Sequence, residues 1–100
     1  MAINEKLQNP HNDALFQAML SLETIEECYA FFEDLCTVNE IKSLAQRLQV
    51  ARMLRAGESY DAIVEQTGAS TATISRVKRS LVYGADGYNT VLGRMSKKEA

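Results

Sequence analysis

The stretch SYDAIVEQTGASTATISRVKRSL, residues 59–81, decides the fold. Ser59 and Ser70 each stand where a helix would be capped, and Thr67-Gly68-Ala69 separates the two helical runs that follow them. Gly68 sits where the chain must reverse, a position that often demands φ > 0. Ile63 is apolar on the first run, and Ile74, Val77 and Leu81 cluster on one side of the second. That pattern predicts two short helices closed along an apolar seam, the proportions of a helix-turn-helix over residues 59–83. The side opposite the seam shows Ala72, Ser75, Arg76 and Arg79, flanked by Thr71 and Lys78. Between Ala69 and Tyr83 there are three bases and no acid.

Outward from this motif the chain continues as helices. Asn9-Pro10 reads as an N-cap with proline at the first helical position, followed by apolar residues at helical spacing to Leu22. Thr24 with Glu27 and Thr37 with Glu40 have capping-box spacing. The first opens a helix with Ile25, Cys28, Tyr29, Phe32, Leu35 and Cys36 on one face. The second opens a longer helix that runs to Ala56 and stops at Gly57. A weak last helix is expected from Tyr88 to about Met95. No stretch alternates with period two long enough to make a strand, so the fold class is all-α.

The long helix from Val38 to Ala56 carries two apolar stripes. Ile41, Leu44, Ala45, Leu48 and Ala51 form one, and Val50, Met53 and Leu54 form the other. A helix apolar on two sides in so short a chain must bury both. Either it is the central helix of one monomer, or one stripe meets a second copy in an interlocked dimer. The 100-residue length leaves room for one core, so residues 1–100 are expected to form a single helical domain. Within it, residues 1–58 supply dimerisation helices and residues 84–100 a C-terminal helix and tail.

Composition bounds the function. Hydrophobic residues make up 46% and charged residues 24%, an ordinary globular balance that argues against disorder. No apolar run approaches the roughly 20 residues of a membrane span, and no secretory signal opens the chain. A cytoplasmic protein without a membrane partner is expected. Net charge is −2, but residues 1–40 hold one base against eight acids, and residues 41–100 hold ten bases against five acids. Such asymmetry suggests that the second half meets an anion. Cys28 and Cys36 lie eight residues apart on a helical segment, about 12 Å along its axis, too far for a shared disulfide or metal. They read as small core residues in a reducing compartment. With one histidine, His11, no metal or nucleophile–base set can be assembled, so neither enzyme nor cofactor is expected.

Small hydroxylated residues at the start of the second motif helix suit close approach to base edges in the DNA major groove, and the bases beyond them suit phosphates. The bland alternative is a solvated charged face. The coincidence of glycine turn, two caps, seam and acid-free face favours duplex DNA. The runner-up is a small helical adaptor that binds another protein through its acidic N-terminal helices.

Leu44-Ala-Gln-Arg-Leu48, Leu54-Arg-Ala-Gly-Glu-Ser59 and Gly68-Ala-Ser-Thr-Ala-Thr-Ile-Ser-Arg76 together resemble the Trp repressor-like family, most closely its YerC/YecD branch. The resemblance is strongest from Thr37 to Leu81. It implies an all-helical, intertwined homodimer that sets one helix-turn-helix per subunit on operator DNA as a transcriptional regulator. The residues that approach DNA would fall on Thr71, Ala72, Thr73 and Ser75, with the first motif helix contributing near Tyr60. Arg76, Lys78 and Arg79 join these from the charge pattern.

The resemblance also implies where an effector would bind. The two arginines that stack about tryptophan in the family correspond to Arg47 and Arg76, and the supporting hydroxyls to Thr37 and Ser80. Three positions depart from that pattern. Val77 replaces the family's glycine, and Asp34 and Cys36 replace leucines that close the pocket from the partner subunit. An anion beside an indole is a poor exchange, so tryptophan is disfavoured and the effector is left unknown.

Overall fold

The computed structural model describes residues 3–99, with side-chain environments through Lys98. Met1, Ala2 and Ala100, the ends of the expected domain, lie outside the described residues. Among the described residues six α-helices run in order: α1 (Pro10–Leu20), α2 (Ile25–Leu35), α3 (Val38–Arg55), α4 (Tyr60–Thr67), α5 (Thr71–Tyr83) and α6 (Gly87–Glu99). A 3₁₀ turn over Glu5–Leu7, which the sequence reading did not anticipate, precedes them. Among the described residues there is no strand, so the all-α class holds. By internal contacts the described chain forms two compact units, one over Ile3–Ile41 and one from Lys42 onward.

In the first unit the helix starts follow the capping chemistry. Asn9 accepts from the Asn12 amide at 2.8 Å ahead of Pro10. The Thr37–Glu40 box is complete: Glu40 N–H donates to Thr37 Oγ1 at 3.1 Å, and Thr37 N–H donates to Glu40 Oε1 at 2.8 Å. The Thr24 box differs from its expected form. Thr24 does accept from Glu27 N–H at 3.1 Å, but the Glu27 carboxylate reaches back to the N–H of Glu23, at 2.8 Å. No residue of this unit is buried among those described. Leu20 is 84% exposed, Tyr29 75% and Ile25 72%.

The second unit holds the core: Val50, Ala51, Met53, Ile63, Ala69, Ile74, Val77 and Leu92, with Leu48, Leu54, Tyr60, Leu81, Tyr88 and Met95 packed against it. The core draws on both stripes of α3. Val50, Met53 and Leu54 of one stripe turn into it, and Ala51 and Leu48 of the other pack there too. Leu44, at 48% exposed, stays open. The last helix is longer than expected, from Gly87 to Glu99. Its two glycines weaken its propensity, but Leu92 is buried, and Tyr88 and Met95 pack beside it. Its start is fastened by Asn89, whose Nδ2 donates to Asp86 Oδ1 at 2.9 Å and to the Leu81 carbonyl at 3.1 Å. Between α5 and α6 stands Gly84, whose N–H donates to the Ser80 carbonyl at 2.9 Å; a Cβ there would collide with that same oxygen.

Candidate nucleic-acid interface

The helix-turn-helix forms where the sequence places it. Ser59 accepts from Ala62 N–H at 3.2 Å to open α4, and Ser70 accepts from Thr73 N–H at 3.1 Å to open α5. Gly68 ends α4 in the left-handed region, φ +72°, with its N–H on the Val64 carbonyl at 2.9 Å. Thr67 locks the turn: its hydroxyl donates to the Ile63 carbonyl at 2.7 Å and accepts from Ala69 N–H at 3.1 Å. Ile63, Ile74 and Val77 are buried along the seam and Leu81 is half-buried, as the periodicity requires.

Two tethers missed by sequence reasoning brace the helices, one holding the motif to α3 and one joining α3 to α6. Gln46 Nε2 donates to the Thr67 carbonyl at 3.1 Å, tying α3 to the end of α4. Arg55 Nη1 lies 3.4 Å from the Asn89 carbonyl, a long bond between the end of α3 and the start of α6. Gln46 stands within the segment that carried the family resemblance.

The predicted DNA-facing residues fall into three environments. Ala72, Ser75, Arg76 and Arg79 are exposed on α5 opposite the seam, with Thr71 exposed on the flank. Thr73 is half-buried, and its Oγ1 accepts from the Ser70 hydroxyl at 3.1 Å, so part of its polar capacity belongs to the cap. Lys78 lies on the flank of α5 beside the seam, with Nζ 5.8 Å from the centroid of the Tyr60 ring on α4. Tyr60 is half-buried against the core.

The effector candidates are less gathered. Arg76 and Ser80 are one turn apart on α5, both exposed, and Arg47 is exposed on α3. Ser80 opens onto a shallow groove of about 490 Å³ that Leu48, Tyr88 and Val91 also line. Thr37 belongs to the other unit, where its hydroxyl serves the α3 cap. Val77 is 2% exposed, its branched side chain fixed in the core. Cys28 and Cys36 are free thiols, both half-buried. Among the described residues no cluster of His, Cys, Asp and Glu has the make-up of a metal site, and no helix is long and apolar enough to cross a membrane.

Comparison with known proteins agrees with this geometry. Residues 10–96 match the family described as Trp repressor protein. The chain is 60% identical over 95 residues to the uncharacterized protein YerC of Bacillus subtilis (strain 168), covering 95% of this chain and 91% of that one. A Staphylococcus aureus crystal structure, described provisionally as a Trp repressor, superposes with a TM-score of 0.89 at 60% identity, covering 96% of this chain and 95% of the other. A TrpR-like protein from Eubacterium eligens ATCC 27750 gives 0.90 at 58% identity, over 93% of this chain and 96% of that one. With a family match over most of its length and a relative 60% identical, the chain belongs to the Trp repressor family, beside YerC.

Proposed function

We propose that the protein is a cytoplasmic, sequence-specific transcriptional regulator that binds duplex operator DNA as a homodimer, through residues 59–83 of each copy. The observation that carries this reading is the outer face of α5: five exposed predicted contacts, bases without an acid, on a helix whose other side is sealed into the core. Thr71, Ala72 and Ser75 lie toward the N-terminal end of α5, the end that enters the major groove, and take the role of base readers. Arg79 and Lys78 lie further along and take phosphates; Arg76 stands between the two groups. Residues 1–58 serve dimerisation: Leu20, Ile25 and Tyr29, exposed in a single chain, would be covered by a second copy.

Selection of bound sequences from random duplex DNA tests the reading directly. A consensus should emerge, and affinity for it should fall steeply with salt, because phosphate contacts release counterions. Arg79→Ala should weaken binding to all sequences alike and flatten the salt slope by about one unit, whereas Ser75→Ala and Thr71→Ala should chiefly change the preferred sequence. An unselective pool, or affinity insensitive to salt, would favour a protein-binding adaptor instead.

Free tryptophan is not a strong corepressor in this reading, although Arg47 and Arg76 are present. Val77 has its rotamer held by the core, so it cannot yield cheaply to a ligand that needs its space. Overpacking costs about 1–3 kcal/mol, roughly ten- to hundredfold in affinity, and Asp34 adds a charge beside the indole. Calorimetry should show no saturable micromolar binding of L-tryptophan. Binding that also tightens the DNA complex would restore the family's effector to this chain.

A further inference from the structure

We infer that Tyr60 is a positioning residue that acts on DNA through Lys78, by holding the lysine ammonium over its ring, and not through its own hydroxyl. The inference rests on the DNA-binding reading above, and it reassigns a residue that family resemblance places near DNA. Tyr60 is half-buried against the core, so its ring is a fixed platform at the first turn of α4. Lys78 Nζ lies 5.8 Å from the ring centroid, within the range where an ammonium is drawn to an aromatic face. The contact joins the two helices of the motif.

The need for a platform follows from what lies around it. Lys78 is exposed, and a free lysine carries much rotamer entropy that a phosphate contact must overcome. Tyr60 and Lys78 line a cleft of about 440 Å³ that also admits Glu58 and Arg55. Without the ring, the ammonium could turn toward the Glu58 carboxylate, away from DNA. With the ring it is held at the flank of α5, beside the predicted base readers.

The test is a binding cycle on the full-length protein with its selected duplex. Tyr60→Leu should lower affinity two- to fivefold, about 0.4–1 kcal/mol at 1.4 kcal/mol per tenfold. Tyr60→Phe, which keeps the ring and loses the hydroxyl, should bind as the wild type does. In a Lys78→Gln background Tyr60→Leu should cost nothing further. Equal losses from Phe and Leu, additive losses in the double variant, or tighter binding by Tyr60→Leu would each overturn the inference. A wild-type protein that shows no salt-dependent DNA binding would overturn the DNA-binding reading first and the inference with it. NMR supplies a second measurement that survives a poorly folded Tyr60→Leu. Lys78→Gln, at an exposed position, should shift the Tyr60 ring resonances of the free protein; unmoved resonances would overturn the pairing.

Discussion

The two units of this chain are both helical and both well capped, yet only one buries anything by itself. Among the described residues, all eight buried ones lie in the unit from Lys42 onward, whereas Ile3–Ile41 holds eight of the thirteen large apolar side chains that are exposed. Caps and propensity explain why α1 and α2 are helices; they do not explain what keeps them folded, because most helical stability comes from a packed apolar face. The contrast teaches that secondary structure and core are separate achievements. In the N-terminal unit the first is complete within one chain and the second is not.

The largest effect should come from charging the open surface. In the proposed dimer, Leu20→Asp with Ile25→Asp would expel four side chains, roughly 6–12 kcal/mol at 1.5–3 kcal/mol each, an upper bound because the unfolded chain also buries some area. Sedimentation should report monomers with reduced helicity. An unchanged dimer would show that these residues are not covered by a second copy. In the other unit, Ile74→Ala should destabilise by about 2–5 kcal/mol, read as a lower urea midpoint, since Ile74 is wholly buried on the seam. A loss under about 1 kcal/mol would mean that the second unit is no better packed than the first.

The smallest effect concerns the α3 cap. The Thr37 backbone N–H on the Glu40 carboxylate, and secondarily the Thr37 side chain, hold its pKa below the ordinary value, against an opposing push from desolvation. A carboxyl whose pKa is depressed by folding stabilises the native state above its unfolded pKa, and that contribution is lost as pH falls through the lowered value. Glu40→Ala should therefore flatten the acid side of the stability profile followed by circular dichroism, without altering it near neutrality in slope.

Much of this was legible before any coordinates. Ile63, Ile74 and Val77 declared the seam by spacing alone, and Ser59, Gly68 and Ser70 declared its ends, because caps and turns are local chemistry. What escaped was chemistry between distant residues. Gln46 on the Thr67 carbonyl and Lys78 over Tyr60 depend on side-chain positions that periodicity does not encode. The last helix read as weak because its glycines are visible in sequence, whereas Leu92 in the core and the Asn89 bonds are not. The two stripes of α3 were visible as apolar, but spacing could not tell that the chain's own core would take Ala51 and Leu48 from one and Val50, Met53 and Leu54 from the other.

Gly84 and Gly68 will tolerate mutation differently. At Gly68 an added Cβ meets nothing within 4 Å, and only the positive φ opposes it. Asparagine, which enters the left-handed region more readily than other side chains, should survive there in a saturation library. Gly84 has an ordinary φ of −82°, but the Ser80 carbonyl occupies the place of its Cβ. No side chain evades that collision without moving the end of α5. A variant library should therefore return asparagine at position 68 and glycine alone at position 84.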